Sequence, residues 1–389
     1  MENHKLPKTV VSISKCDSYA RAEVVKSLER VLKPLGGIDA FVKPGDTVLL
    51  KINLLRSAHP DKAVTTHPML LEALVNIVKE VGGIPVIGDS PGGPNTHKQV
   101  KKMITATGVA EVCERTGAEF VLFDRDTVRI QSPEGKLYTS FTVGRIVRDA
   151  DVIVSLPKLK THGFMKFTGA VKVLFGVIPG LEKAQFHLKV PDRMDFADML
   201  LDIYLAVRPS LSIMDAVIGM EGDGPSGGTP RHIGAILAGT DAVALDFIAS
   251  KIIGFDPLDV YTNQAAVNRR LISGMDAIEV TGPSLAELSL ENFKEPTTGL
   301  SDKVPTGLAK FLKNFAVSKP YLALPSACSG CATCKQSCPS GAITINGKQP
   351  QFDYNKCIMC YCCEELCPEL AVKRKNHWVV NLVKTLIER

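Results

Sequence analysis

The sequence predicts an α/β fold with a largely parallel sheet flanked by helices, followed by a small α+β domain at the C-terminus. Short apolar runs alternate with amphipathic stretches over residues 1–283, as strands and helices do in parallel sheets. This periodicity fades over residues 284–325. Nine of the eleven cysteines then fall between Cys328 and Cys367, which marks a domain of different construction.

Composition limits the classes of protein that this chain can belong to. The 389 residues are 45% hydrophobic and 22% charged, which is typical of globular proteins with two or three domains. A net charge of +5 permits an anionic partner, and dispersed basic residues with 6% aromatics argue against nucleic-acid binding. The sequence shows neither a signal peptide nor an apolar run of about 18 residues, so we expect a cytoplasmic protein without a membrane span.

The first half of the large domain predicts alternating strands and helices. One helix has Thr66 as its expected N-cap, Pro68 in its first turn and glycines after its end. Gly135 and Pro133 mark the turn of a hairpin over 128–143. The expected strands are 9–14, 47–54, 84–90 and 119–123, and the expected helices are 21–35, 67–83 and 95–116.

The second half continues the alternation and ends in a linker. An apolar run predicts a strand over 151–160 that leads into a loop, and ligands are expected where such parallel strands end. Further strands are expected at 211–219 and 233–238, and helices at 194–207 and 241–253. We predict domains at 1–283 and 326–375, a linker at 284–325 with a docking helix at 307–319, and an amphipathic helix at 376–389. That last helix is expected to pack on its own protein, although a membrane-surface helix would have a similar pattern.

An internal repeat fills the cysteine-rich domain. The segments CSGCATCKQSCP (328–339) and CIMCYCCEELCP (357–368) share the spacing Cys-x2-Cys-x2-Cys-x3-Cys-Pro, at an offset of 29 residues. This spacing is that of bacterial ferredoxins with two [4Fe–4S] clusters, in which the fourth cysteine of each repeat ligates the other cluster. The domain thus resembles a bacterial-type ferredoxin over about 50 residues. Zinc is the alternative metal, because paired Cys-x2-Cys motifs also bind it.

The register assigns eight of the cysteines as cluster ligands. Cys362 adjoins Cys363, and only Cys363 keeps the two-residue gap from Cys360, so Cys362 is expected to lie near the cluster without binding it. Cys16 and Cys113 are expected to be buried apolar residues. The predicted ligands are Cys328, Cys331, Cys334 and Cys367 for cluster I, and Cys357, Cys360, Cys363 and Cys338 for cluster II.

A basic segment carries the predicted catalytic residues of the large domain. Lys158, Lys160 and His162 alternate along an extended segment, so they share one face and suit a carboxylate or phosphate. The lysines would stabilise charge on a reduced substrate, and His162 would supply a proton. Lys172 lies among apolar residues and would need an anionic partner if it were buried. The alternative is a solvated basic loop.

Other polar groups follow predicted strands and are candidates for substrate binding. The backbone amides of Gly88–Gly93 are arranged to bind an anion, and the loop Glu221–Pro225 carries carboxylates that would bind a cation or balance the lysines. For each of these segments taken alone, the alternative is that its residues only shape a turn. The predicted substrate-binding residues are Lys51, Asn53, His67, Asp89, Ser90, Lys172, Asp215 and Glu221.

Six segments of the large domain resemble, in this order, the family catalogued as domain of unknown function 362: VLLKINL, TTHPMLLEALVNIV, GDSPGG, LPKLKTHGFMKFTGAVKVLFGVIPG, GMEGDGP and GTDAVALD. The resemblance covers roughly residues 10–283, and members often carry a C-terminal ferredoxin domain. It implies an iron–sulfur protein of anaerobic or facultative microbes and assigns no activity. Val173 follows Lys172 where asparagine is expected, which weakens any role for an amide side chain there.

Three functional hypotheses fit these motifs. The first is a redox enzyme that takes electrons from a donor such as a ferredoxin and passes them to an anionic small molecule. The second is an electron-transfer or assembly protein whose large domain is a docking module without its own catalysis. The third is a non-redox enzyme with structural clusters, against which two clusters in series argue.

Overall fold

The computed structural model describes residues 8–297 and 318–375. Its strands are β1 (Thr9–Lys15), β2 (Thr47–Ile52), β3 (Ile84–Asp89), β4 (Glu119–Leu122), β5 (Thr127–Gln131), β6 (Ser140–Gly144), β7 (Val152–Leu156), β8 (Lys158–His162), β9 (Lys166–Thr168), β10 (Leu211–Glu221), β11 (Thr229–Gly239), β12 (Ile278–Thr281), β13 (Lys319–Leu322), β14 (Ile343–Asn346), β15 (Gln349–Phe352) and β16 (Val372–Lys375). Its helices are α1 (Arg21–Leu32), α2 (Pro68–Glu80), α3 (His97–Ala106), α4 (Val109–Thr116), α5 (Arg145–Asp149), α6 (Ala170–Val173), α7 (Gly180–Lys189), α8 (Arg193–Val207), α9 (Ala242–Ile252), α10 (Tyr261–Asn268), α11 (Leu285–Leu288), α12 (Thr333–Gln336) and α13 (Cys362–Glu365).

One large, mostly parallel sheet organises the first domain, as predicted. Its strand order is β12-β1-β11-β10-β7-β2-β3-β4, with β8 paired to β10 and β9 paired to β8. The run β10-β7-β2-β3-β4 is entirely parallel, while β11 is antiparallel to both of its neighbours. The carboxyl ends of the parallel strands therefore meet at one edge of the sheet.

Helices cover both faces of the sheet and bury two separate apolar cores. Successive residues of a strand point to opposite faces, so Leu49 enters one core while Val48 and Leu50 enter the other. The first core packs against α6, α8 and α9, and the second against α1, α2 and α4. The result is a three-layer arrangement of helices, sheet and helices.

Three predicted elements differ in the structure. The strand expected at 151–160 is divided into β7 and β8 at Pro157, which has no backbone N–H to donate to a sheet ladder. The helix expected at 95–116 is divided into α3 and α4 at Gly108, whose φ of 78° ends regular helix. The N-cap of α2 is His67, not Thr66, because the His67 ring accepts the backbone N–H of Met69.

The C-terminal module is small and built from two similar halves. β13 pairs with β16, β14 pairs with β15, and α12 and α13 lie 29 residues apart, like the cysteine repeats. Three pairs of left-handed residues keep the same offset: Gly330 and Met359, Ala332 and Tyr361, and Gly341 and Leu370. The repeat seen in the sequence is thus also a repeat of backbone conformation. The helices predicted at 307–319 and 376–389 fall wholly or largely outside the described residues.

Candidate functional site

Buried charges gather where β2 and β3 end. The Lys51 amine donates to the Asp89 carboxylate and to the Ile52 carbonyl, both at 2.8 Å. Asp89 also accepts the backbone N–H groups of Leu54 at 2.6 Å and Ser90 at 2.7 Å. The amide of Ser90, which was expected to bind an external anion, is therefore satisfied by the carboxylate of the neighbouring residue.

A second buried pair joins β8 to β10. The Lys158 amine lies 2.9 Å from an Asp215 oxygen and 2.7 Å from the Tyr19 hydroxyl, which itself donates to Asp215. Asp215 also accepts the backbone N–H of His67, whose ring stacks on Tyr19 at 3.4 Å. Burial lowers the pKa of Lys158, and the adjacent Asp215 opposes this shift. Asp215 therefore balances Lys158, as the sequence suggested for a nearby carboxylate.

Lys160 is buried without a carboxylate within ion-pair distance in the described part of the chain. Its amine donates to the Asn53 side-chain oxygen and the Val64 carbonyl, both at 2.6 Å. Burial lowers its pKa well below the usual value, and the nearby cations Lys172 and Lys158 lower it further. The basic segment is hence an interior strand, which excludes the alternative of a solvated basic loop.

His162 is held as a neutral imidazole. Its Nδ1 accepts the backbone N–H groups of Phe164 at 3.0 Å and Met165 at 3.3 Å, so the proton of the neutral ring lies on Nε2. That nitrogen lies 3.4 Å from the Glu365 carboxylate of the C-terminal module. Burial lowers the His162 pKa well below 6.5, with Lys172 the largest charge contribution. A neutral donor is a poor general acid, so the structure does not favour the predicted proton-supplying role.

A cavity of about 100 Å³ lies between the two modules. Of the predicted site residues, it brings together Lys51, Asn53, Asp89, Ser90 and Lys172, whereas Lys158, Lys160, His162, His67, Asp215 and Glu221 do not line it. Glu221 instead accepts the backbone N–H of Lys294 at 3.2 Å. The sequence predicted that Lys158, Lys160 and His162 enclose a common anion site. The structure does not show such a site, because none of the three lines the cavity.

The Lys172 amine lines the cavity and has no hydrogen-bond acceptor among the described residues. It lies 6.0 Å from the Phe175 ring centroid. Burial lowers its pKa, while the charges of Glu365 and Cys362 oppose that shift. The sequence predicted that Lys172, as a lysine among apolar residues, would require an anionic partner, and Glu365 faces it across the module boundary.

Helix α7 supplies two cavity residues that sequence reasoning missed. The Lys183 amine donates to the Ser90 carbonyl, and burial lowers its pKa to about 8. His187 stacks on Phe196 with ring centroids 4.6 Å apart, and burial lowers its pKa to about 3. Its Nδ1 is buried with no hydrogen-bond partner among the described residues. The signal in the sequence was their i, i+4 spacing, which places both on one helix face.

The C-terminal module docks on the same edge of the sheet. Arg374 of β16 is 4% exposed; its guanidinium lies 2.6 Å from Glu364 and 3.4 Å from Asp223 of the large domain. A Cβ atom on Gly163 would lie 2.0 Å from Arg374 Nη1, so glycine permits this close approach. The Ser226 hydroxyl donates to the Glu365 carbonyl at 3.1 Å. These contacts bring Cys362 and Glu365 to the cavity wall.

Cysteines that the sequence assigns to the same cluster act on one another's pKa values. The charges that act on Cys334 are those of Cys331, Cys367 and Cys328, which are the other predicted ligands of cluster I. Those that act on Cys357 include Cys360 and Cys338 of predicted cluster II. Burial raises the pKa of Cys334 to about 11, a cost that binding iron as the thiolate would offset.

The fourth cysteine of each repeat makes an equivalent hydrogen bond. The backbone N–H of Ala342 donates to Cys338 Sγ, and that of Ala371 to Cys367 Sγ, both at 3.3 Å. Hydrogen bonds to the sulfurs are one of the means by which proteins tune cluster potentials. In the part of the chain that the structure describes, no three His, Cys, Asp or Glu side chains converge on a single-ion site. This result does not bear on a four-iron cluster, because each of its four thiolates binds a different iron. The cluster assignment rests instead on which cysteines are neighbours and on the repeat.

Comparisons with known proteins agree with this construction. A model described as a 4Fe-4S dicluster domain matches residues 321–368. Short stretches are similar to trichloroethene reductive dehalogenase of Dehalococcoides mccartyi, at 35% identity over 74 residues, and to one component of the ion-translocating oxidoreductase complex of Methanosarcina acetivorans, at 37% over 46 residues. They cover 15% and 12% of this chain, and 13% and 17% of those proteins. The chain is an iron–sulfur electron-transfer protein that binds [4Fe–4S].

The large domain places the chain in its family. The model of the domain of unknown function DUF362 matches residues 48–251, more than half of the chain. The thylakoid-associated protein sll1697 of Synechocystis sp. is 38% identical over 295 residues, which cover 74% of this chain and 87% of that protein. The protein belongs to the DUF362 family. Within the described residues, no helix is long and apolar enough to cross a membrane.

Proposed function

We propose that the protein carries two [4Fe–4S] clusters, on the ligand sets predicted from the register, and passes their electrons to a small anionic molecule in the cavity between the modules. The observation that carries this proposal is the cavity wall, in which Cys362 and Glu365 of the cluster-binding module face Lys172 and His187 of the large domain. When bound, the clusters supply single electrons. The same proposal includes the division into domains at 1–283 and 326–375. It also includes a ferredoxin-like electron donor and a cytoplasmic location.

The cavity suits a molecule with few atoms. Its volume of about 100 Å³ equals that of roughly three water molecules, at about 30 Å³ each. The Lys172 amine is available to an anion because no described residue accepts a hydrogen bond from it. Lys183 adds a second cation, whereas the charge of Lys51 is already balanced by Asp89. Negative charge that develops on a reduced molecule would therefore be stabilised by these fixed cations.

The experiment identifies the molecule and then tests its reduction. Anaerobically prepared protein is denatured, and small anions released in stoichiometric amount are identified by mass spectrometry. The same molecule is then added to photoreduced protein while the cluster absorbance is followed. We expect the wild type and the exposed control Lys189→Gln to be reoxidised, and Lys172→Gln to bind the anion more weakly by about 1–3 kcal/mol, the usual value of a charged hydrogen bond. Release of no anion, or reoxidation that is unchanged in Lys172→Gln, would contradict the proposal.

A second function is favoured by the internal pairing of the lysines. Lys51, Lys158 and Lys160 all donate to acceptors of the large domain itself, which is the arrangement of a rigid docking module. An electron-transfer or assembly protein without its own catalysis would show this arrangement too. Such a protein would exchange electrons with a redox partner but would release no stoichiometric small anion in the experiment above.

A further inference from the structure

Arg56 is a buried cation without a carboxylate partner in residues 8–297 and 318–375. Its side chain follows β2 and is 7% exposed. Two of its nitrogens donate to the carbonyls of Ser57 and Ser226, both at 3.1 Å, and Nε is buried with no acceptor among the described residues. Neutral carbonyls do not neutralise a guanidinium, which stays protonated in proteins. Some other negative charge is therefore expected beside it.

The C-terminal module supplies the candidate for that charge. Arg56 lines a groove of about 250 Å³ together with Cys331, Leu366 and Pro368, and the last two flank Cys367 in the chain. Among the residues that the structure describes, Cys367 is the group whose charge opposes the lowering of the Arg56 pKa by burial. Cys331 and Cys367 both belong to the predicted ligand set of cluster I. The other ionisable side chains of the groove, Lys102 and Glu369, are exposed.

We propose that Arg56 is the counter-ion of cluster I and that it raises the reduction potential of this cluster. The inference rests on the two-cluster assignment proposed above. A cluster bound by four thiolates is anionic, and an added electron increases its negative charge. A fixed cation nearby therefore stabilises the reduced form more than the oxidised form, and net charge is one of the properties that set cluster potentials. Because Arg56 belongs to the large domain, the potential of cluster I depends on the docking of the two modules.

The test compares three variants of the full-length, anaerobically prepared protein. Arg56→Gln removes the charge, Arg56→Lys keeps it, and Lys102→Gln removes an exposed cation from the same groove. Iron and sulfide are measured first, and each protein is then titrated with reductant while both cluster signals are followed by electron paramagnetic resonance. We expect one midpoint potential to become more negative in Arg56→Gln, to stay close to wild type in Arg56→Lys, and to be unchanged in Lys102→Gln. A tenfold decrease in the equilibrium constant for reduction of the cluster lowers its midpoint potential by about 59 mV, because one electron is transferred.

Each outcome decides the proposal. Equal shifts in Arg56→Gln and Arg56→Lys, or a shift in neither, would overturn the role of the charge. If Arg56→Gln loses one cluster, retention of both clusters in Arg56→Lys supports the counter-ion role, and loss in both variants overturns it. Iron for a single cluster in the wild type would instead refute the two-cluster assignment, before any variant is compared.

Discussion

At the scale of single residues, three buried lysines are stabilised in three different ways. Lys51 has a carboxylate partner, and Lys158 has a carboxylate and a phenol. Within the described residues, the acceptors of Lys160 are neutral oxygens. The alternation of Lys158 and Lys160 predicted that they share one face of an extended segment, but it did not predict that the segment is buried. The partners themselves were less accessible to prediction: Tyr19 and Val64 are far from β8 in the sequence and reach it only through the fold.

Cys362 and Cys363 provide a test of the cluster register. Only Cys363 keeps the two-residue gap from Cys360, and Cys362 lines the cavity beside Lys172 instead. We expect Cys363→Ser to lose one cluster and Cys362→Ser to retain both, measured by iron content and by electron paramagnetic resonance after reduction. The reverse pattern would mean that the ligand register is shifted by one residue.

His187 makes stability depend on pH. Because burial lowers its pKa from 6.5 to about 3, the unfolded chain binds a proton between these values that the folded protein does not. Stability therefore falls as the pH decreases below about 6.5, by up to about 1.4 kcal/mol per pH unit for this group. His67, whose pKa is lowered to about 4, acts in the same direction.

The substitution His187→Phe should remove this contribution while retaining the stack on Phe196. We expect its melting temperature to fall less than that of the wild type between pH 7 and pH 5.5, as followed by thermal denaturation under anaerobic conditions. The exposed His97→Phe serves as the control. Parallel pH profiles for His187→Phe and the wild type would show that this ring does not titrate on unfolding.

At the scale of elements, β16 contacts the residue that follows β8, and this is one of the contacts that join the modules. Arg374 of β16 packs against the backbone of Gly163, directly after β8, and pairs with Glu364 of its own module. The buried run on each side of Pro157 predicted one strand, and the structure has two because the proline interrupts the ladder. No local pattern of residues 158–162 encodes their pairing with β10, which depends on a strand some 50 residues further along the chain.

Gly163→Ala should loosen this contact. The added Cβ would lie 2.0 Å from a buried Arg374 nitrogen, so the guanidinium or the module must move. We expect faster cleavage between the modules in limited proteolysis, with the iron content unchanged because Gly163 is not a predicted ligand. Gly239→Ala is the control, because its nearest contact would be the Val10 carbonyl oxygen of the large domain, at 3.3 Å. Equal cleavage rates in both variants would contradict the docking role of Arg374.

At the scale of the whole molecule, the prediction succeeded where the pattern is local or repeated. Strand–helix alternation gave the α/β class, and the offset of 29 residues gave a repeat that recurs in the backbone of α12 and α13. Only one wall of the cavity was predicted from the sequence. The motifs of the large domain identified Lys51 and Lys172 as candidate site residues. Glu365 and Cys362 face them only after the modules dock, and nothing in the spacing of either module specifies that contact.

The central claim is that this module holds two [4Fe–4S] clusters against the polar edge of the sheet. Its most direct test is the iron and acid-labile sulfide content of anaerobically purified protein, measured together with the visible spectrum. We expect about eight irons and eight sulfides per chain, from two four-iron clusters, and a broad absorption that bleaches with dithionite. Two zinc ions per chain with no labile sulfide would contradict it.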